Sequence, residues 1–393
     1  MTEMKILFVI NNFFIPGNGI SASAQRTVKA LRAEGHDVRV LAGPNKVNPD
    51  GPKADFPLKE FRFPIFQPII EAEGFSYANG DPKIIEEAIC WADVVHLHEM
   101  FVLQYKAIKI AHKLNKPIVA TFHMFPENIL SSLGMGKWKW MNRTLLKLWR
   151  DKIYNECEYV QCPSEKVLDR LRRYHFKANL VVISNGIVPD ECIRPATPPV
   201  NYKDPDRPLK VVCISRFAVE KDQTTLIEAM RHSKYAKRIQ LHFCGSGPEG
   251  KKYKRLSHKL YAEGILGHEP IFTFNTRQEL REIAADADLC IHCAKLEVEG
   301  LSIMEAMQQA AVPIISEGPY IGTSQFALNK RCLFPAQNPE ALAHRIDYWL
   351  DHPDERWELG KKYVELMKTY DIKHSAEKLT QMYQNAIDEK KGR

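Results

Sequence analysis

Two carboxylates bracket a glycine in Glu297-Val298-Glu299-Gly300-Leu301-Ser302-Ile303-Met304-Glu305. A short apolar run precedes them, and a helical pattern anchored by Met304 and Met307 comes after. Glu297 falls in the loop, before a glycine that lets backbone approach a ligand. Glu305 falls one to two turns into the helix. Carboxylates accept hydrogen bonds from hydroxyls, and exposed amides at a helix start donate to phosphate. The pattern therefore suits a sugar nucleotide. Each carboxylate is expected to face hydroxyls, because an unneutralised one beside a diphosphate is costly.

Cations stand in a comparable place in Ile214-Ser215-Arg216-Phe217-Ala218-Val219-Glu220-Lys221-Asp222, just past another apolar run. The fork of Arg216 and the point charge of Lys221 are suited to clamp a diphosphate leaving group; otherwise they are solvated surface charges. Two glycine loops also come after apolar runs. Gly245-Ser246-Gly247-Pro248 either is a tight turn or brings backbone to a ligand. Gly17-Asn18-Gly19 opens onto a helix, where free amides and the dipole favour an anion. It lacks the third glycine of the dinucleotide fingerprint, and a plain turn reads it equally well. His123 ends a strand pattern and is either structural or part of a site. His96 and His98 are two apart on a strand and face the same way. A third ligand is not in view, so no metal site is expected there. Asp286-Ala287-Asp288 reads as a helix-to-strand junction, and Cys290 and Cys293 as core residues. No nucleophile–base pair stands out.

These segments need a frame to position them. Short apolar runs at Lys5–Ile10, Val38–Ala42, Val94–Leu97, Ile118–Phe122, Tyr159–Cys162 and Leu180–Ile183 alternate with amphipathic helical stretches. The rhythm restarts at Leu209–Ile214, Ile239–Phe243, Leu289–His292 and Val312–Ile315. Such alternation implies parallel, doubly wound sheets, with ligands beyond the carboxyl ends of the strands. The expected domains are 1–188 and 209–370, facing each other across a cleft, with a stiff proline-rich linker at 189–208 between them. A final helix from about Asp371 carries Ala376, Leu379, Tyr383 and Ile387 on one face, which must be buried.

The 393 residues exceed what one core supports, so two domains are the default. Lys plus Arg is 55 against 48 acidic residues, a net charge of +7. That excess suits a phosphate-bearing ligand or an anionic surface and does not call for nucleic acid. No run approaches the ~18 apolar residues of a membrane span. Ile6 to Ile10 is short and ends in two asparagines, so it reads as a first strand rather than a signal peptide. The nine cysteines are scattered and odd in number, which points to a reduced cytoplasm rather than a disulfide framework.

Taken in order, Thr121-Phe122-His123, Pro163-Ser164, Ser184-Asn185-Gly186-Ile187, Ser215-Arg216-Phe217 with Lys221, Gly245-x-Gly247-Pro248 and Glu297-x7-Glu305 resemble the elements of glycosyltransferase family 4, the retaining GT-B enzymes. The likeness covers nearly the whole chain. It implies that Arg216 and Lys221 bind the donor diphosphate and stabilise its departure in place of a metal. Glu297 would hold sugar hydroxyls and Glu305 the ribose. Gly300, Leu301 and the adjoining Ser302 would offer backbone amides, with Gly19 near the phosphates and His123 near the donor sugar and the acceptor. The terminal helix would cross back onto the N-terminal domain. The chain departs from the pattern at Gly17-Asn18-Gly19, at Glu299 (usually aromatic) and at Asp222 (commonly glycine). Glu299 is expected to add charge beside the sugar pocket.

The acceptor side is expected in the first domain. As a helix, 136–152 places Trp138, Met141, Leu145 and Leu148 on one face, with Lys137, Lys139, Arg143, Lys147 and Arg150 over the rest. This is either an interfacial membrane helix or a helix packed on the sheet with a solvated basic face. Phe56 to Ile70, with Phe61, Phe63, Phe66, Ile69 and Ile70, would join the same surface. The first expectation is a UDP-sugar donor, glucose or similar, then GDP-mannose, with a lipid or surface-polysaccharide acceptor and no cofactor. A sugar-nucleotide epimerase, a soluble acceptor and a non-catalytic binder remain open.

Overall fold

The computed structural model describes residues 3–63, 67, 75–132, 134–136 and 138–392. Phe66, Ile69, Ile70 and Lys137 lie outside the described residues. The chain forms two compact units, Met1–Val188 with Ile372–Arg393, and Pro189–Asp371.

The first unit runs β1 (Lys5–Ile10), α1 (Gly19–Ala33), β2 (Asp37–Ala42), β3 (Phe56–Pro57), β4 (Glu60–Phe61), β5 (Tyr77–Ala78), α2 (Pro82–Trp91), β6 (Val94–Leu97), α3 (Val102–Lys113), β7 (Ile118–Thr121), α4 (Pro126–Ser132), α5 (Lys139–Lys152), β8 (Tyr159–Cys162), α6 (Glu165–Arg173) and β9 (Asn179–Val182). Seven parallel strands lie in the order β3-β2-β1-β6-β7-β8-β9. Ile6 to Ile10 are fully buried, as a strand covered on both faces requires.

The second unit runs β10 (Leu209–Ile214), α7 (Gln223–Ala229), β11 (Ile239–Cys244), α8 (Gly250–Ala262), β12 (Ile271–Thr273), α9 (Arg277–Asp286), β13 (Leu289–His292), α10 (Leu301–Gln308), β14 (Val312–Glu317), β15 (Leu333–Pro335), α11 (Pro339–Asp351) and α12 (Pro353–Lys368). Its strands are ordered β12-β11-β10-β13-β14-β15, again parallel. Both sheets are doubly wound, and strand order reverses at β1/β6 and at β10/β13. Ligands bind at such reversal points, beyond the carboxyl ends of the strands.

Short edge strands β3, β12 and β15 and the hairpin β4–β5 leave no apolar run in the sequence, because they are two or three residues long. The proline-rich stretch packs on the second unit rather than standing clear as a spacer. Ile193 donates its amide to Gln309, and Arg194 donates to the carbonyls of Ala285, Ala287 and Ala310. The last helix, α13 (Ile372–Lys391), belongs to the first unit and buries Ala376, Leu379, Tyr383 and Ile387.

Candidate active site

Adjacent strands β10 and β13 end side by side, and the loops after them carry the charged residues of the second unit. After β10 the chain makes a 3-10 turn, Val219–Lys221, and then Asp222 adopts a left-handed conformation at φ 51°. That conformation is easy for glycine and tolerated by aspartate, which accounts for the departure at this position. The Asp222 carboxylate accepts from Thr225 Oγ1 at 2.8 Å and pairs with Lys295 at 3.6 Å. Burial pushes its carboxyl up, opposed by Lys295.

Lys221 Nζ lies 2.5 Å from Glu297 Oε2, and His292 Nε2 lies 3.2 Å from the same oxygen. Burial alone would raise the Glu297 carboxyl. The Lys221 ammonium and the His292 hydrogen bond outweigh it and hold the group well below the usual carboxylate range. Arg216 makes an ion pair with Glu220 at 2.7 Å, four residues on. Both cations therefore carry a carboxylate partner, rather than standing bare for a diphosphate. The backbone of Glu297 is fixed too. Its amide donates to Tyr320 O and its carbonyl accepts from Gly322.

The glycines divide by role. Gly300 has φ 90° and caps α10, and a Cβ there would lie 3.0 Å from Thr323 Cγ2. Its lack of a side chain serves packing as well as the turn. A Cβ on Gly245 would overlap Ser215 O, and one on Gly247 would overlap Phe217 O. This turn therefore brings its backbone against the Arg216 loop. Phe217 N donates to Ser246 O at 2.8 Å, which joins the two loops. Leu301 starts α10 and is half-buried. Ser302 Oγ donates to Ile214 O at 2.8 Å, so its hydroxyl ties α10 to β10. Glu305, half-buried, lines a cavity of about 20 Å³ with Asp190, Arg277 and Arg281. Glu299 is 1% exposed, so it lies inside the fold instead of lining an open pocket. Burial pushes the Tyr370 hydroxyl up, and Glu299 adds to that.

A larger cavity, about 510 Å³, opens beside Arg194, Tyr202, Arg207, Lys210, Asp288 and Trp357, at the amino ends of β10 and β13. In it Arg207 donates to Asp288, which also accepts from Arg356, and Lys210 pairs with Asp286. Asp286-Ala287-Asp288 is the expected helix-to-strand junction, and Cys290 and Cys293 are buried.

In the first unit, Asn18 caps α1 with its own side chain, accepting from the amides of Ile20 and Ser21 at 2.9 and 3.2 Å. Two amides expected to be open to an anion beside Gly17 and Gly19 are thus taken. The reversal point of this sheet holds a buried carboxylate instead. Glu99 accepts from the Asn11 amide at 2.6 Å, from the Asn11 and Asn12 side chains at 2.5 and 2.7 Å, and from Gln104 at 3.2 Å. Burial raises its carboxyl against those bonds. Beside it, His98 Nδ1 meets His123 Nε2 at 3.1 Å, and the rings of His96 and His98 are 4.1 Å apart on one face. Burial lowers His96 and His123 to about 3, and His98 well below its ordinary value, so all three are neutral.

Sequence reasoning missed Glu220, His292, Glu99 and the asparagine pair. Glu220 carries one signal, its spacing from Arg216, and Glu99 another, its place just after a buried strand. Nothing local marks His292 as a partner of Glu297.

Helix α5 buries Asn142, Leu146 and Trp149, not the stripe of Trp138, Met141, Leu145 and Leu148. Trp138, Trp140 and Leu148 are 50, 66 and 51% exposed, beside exposed Lys139, Arg143 and Lys147. Phe61 is exposed and Phe56 buried. No helix among the described residues is long and apolar enough to cross a membrane.

Two doubly wound units with charged loops at their reversal points define the GT-B class. Residues 17–191 match the Glycosyltransferase Family 4 model and residues 199–365 that of Glycosyl transferases group 1. The GDP-mannose-dependent alpha-mannosyltransferase of Corynebacterium glutamicum is 26% identical over 81% of this chain and 73% of its own. The alpha-monoglucosyldiacylglycerol synthase of Streptococcus pneumoniae is 25% identical over 81% of this chain and 72% of its own. Sucrose-phosphate synthase from Thermosynechococcus elongatus shares the fold, with a TM-score of 0.70 at 16% identity, over 98% of this chain and 99% of that one. The chain belongs to the GT-B glycosyltransferases, with a family 4 domain followed by a group 1 domain, and it is a glycosyltransferase.

Proposed function

We propose that this enzyme moves a hexose, glucose or similar, from a UDP-sugar to a lipid or surface-polysaccharide acceptor at a membrane, with retention and without a metal. The observation that carries the donor half is the convergence of Arg216, Lys221 and Glu297 at the reversal point of the six-stranded sheet. An ammonium has three donors, and Lys221 gives one to Glu297, so it can hold that carboxylate and a phosphate oxygen together. Arg216 would share the charge developing on the leaving diphosphate. Glu297, with Lys221 and His292 both on Oε2, would turn Oε1 to a sugar hydroxyl. Glu305 would hold the ribose, and His123 would meet the sugar and acceptor from the first unit. With no carboxylate assigned as nucleophile, the acceptor would attack on the face the diphosphate leaves, and the leaving phosphate would take its proton.

The acceptor half rests on α5. Two tryptophans and Leu148 are left uncovered among basic residues, the composition of a helix lying in an anionic interface. The synthase that makes a glucosyl lipid supports glucose and a lipid acceptor. A second reading, GDP-mannose as donor, is favoured by the mannosyltransferase relative.

The test is donor turnover by the purified chain across UDP-, GDP- and ADP-sugars, with and without EDTA, and with and without anionic vesicles containing diacylglycerol. The expected result is release of one nucleoside diphosphate, unaffected by EDTA and raised by vesicles, with an α-linked product by NMR. A β-linked product would refute retention, and loss of turnover in EDTA would refute metal independence.

A further inference from the structure

Hydrogen-bond directions around His96 are set by one amide. Gln161 Nε2 donates to Ile183 O at 3.0 Å, so its Oε1 accepts the Thr121 hydroxyl at 2.6 Å. Thr121 Oγ1 must then accept from His96 Nε2–H at 2.7 Å, and neutral His96 accepts at Nδ1 from the Tyr383 hydroxyl at 2.8 Å. His96 is fully committed, and its ring is held between strand β7 and helix α13.

His98 is held differently. Its ring stacks on Phe8 at 4.5 Å, its Nδ1 meets His123 Nε2 at 3.1 Å, and its Nε2 is buried with no partner among the described residues. Only one of the two meeting nitrogens carries the proton. If His123 donated, His98 would keep its proton on Nε2, leaving a buried N–H without an acceptor. If His98 donates, only a lone pair is left unmet, which is the less costly arrangement.

We infer that His98 is a positioning residue that fixes His123 in the Nδ1–H tautomer, so that His123 meets its ligand as a neutral hydrogen-bond donor. The ligand atom it suits is an acceptor, either a sugar hydroxyl oxygen or a phosphate oxygen. In this tautomer His123 Nε2 is occupied and Nδ1 has no lone pair, so the ring does not take the acceptor's proton. This rests on the reading that places His123 in the site.

The test is long-range ¹H–¹⁵N NMR of the full chain labelled in histidine, with His123 assigned by difference against His123→Asn. The expected pattern is a protonated Nδ1 and a bare Nε2 on His123, lost or mixed in His98→Leu. An Nε2-protonated His123, or a pattern unchanged in His98→Leu, would overturn the inference. Kinetics separate positioning from folding. His98→Leu is expected to lower donor-turnover kcat about 10- to 100-fold with KM nearly unchanged, and His98→Asn, which keeps an amide donor near the Nδ1 position, to restore most of it. Equal losses in both variants would refute the role. If the NMR pattern holds and His123→Asn leaves turnover intact, it is the placement of His123 in the site that fails.

Discussion

Lys221 and Glu297 lie 76 positions apart in sequence and 2.5 Å apart in space, an ion pair across the two strands where the sheet order reverses. His292 donates to the same carboxylate oxygen. The pair fixes both groups before any ligand arrives. Removing either partner leaves a part-buried charge uncompensated, which costs more than the pair itself contributes.

Glu297→Gln should therefore impair more than hydroxyl recognition. Lys221 loses its counter-charge, and donor turnover should fall by about 10²-fold or more while nucleoside diphosphate alone binds as tightly or tighter. Calorimetric titration with UDP and GDP beside turnover assays checks this. Equal weakening of both would place Glu297 on the diphosphate instead.

Gly247→Ala tests the contact between the two glycine-bearing loops. The new Cβ would overlap Phe217 O, and Phe217 adjoins Arg216. The expected cost is about 1–3 kcal/mol of stability, with weaker nucleotide binding through displacement of the Arg216 loop. Thermal melts and titration together check it. A stable variant with unchanged binding would show that the turn is not what holds Arg216.

Much of this frame is legible in the sequence because burial leaves a local mark. Ile6 to Ile10 and Leu289 to His292 are apolar runs, and each leads into a loop at a sheet's carboxyl edge. Lys221, Glu297 and Glu305 could be picked out for that reason. Their partners could not. Whether Asn18 or a ligand anion satisfies the first amides of α1 depends on a side-chain rotamer, and that Gly247 packs on Phe217 depends on the loop after a neighbouring strand. Helix α5 offers two adjacent stripes, and only tertiary packing decides that Leu146 and Trp149 are the covered one.

Stability should fall as pH drops from neutrality. His96 and His123 are lowered from 6.5 to about 3, and His36, His98 and His242 shift the same way by burial. Between about pH 6.5 and 3 the unfolded chain binds more protons than the folded one, so stability rises with pH there. Glu297 adds to this below its ordinary 4.5, because its folded carboxylate stays ionised. Glu99 and Asp222, both raised by burial, oppose it with two groups against five histidines. Thermal midpoints from pH 8 to 5 should decline, and a flat profile would mean that these histidines are charged in the fold.

Trp138→Ala with Trp140→Ala should weaken sedimentation with anionic vesicles, and Lys139→Glu with Lys147→Glu should do so more strongly at low salt. All four side chains are exposed, so donor hydrolysis without vesicles and the melting temperature should hold. Vesicle binding unchanged in both variants would remove α5 from the membrane reading.

The most direct measurement is donor turnover by Lys221→Met beside the unaltered enzyme, on whichever nucleotide sugar the latter cleaves. If Lys221 stabilises the departing diphosphate, kcat should fall by about 10²- to 10³-fold, measured well below the lowered melting temperature of the variant, where circular dichroism shows it folded. Turnover within about twofold of the unaltered enzyme, well under the ~1.4 kcal/mol of a tenfold change, would contradict the assignment of the Lys221–Glu297 site to the reaction.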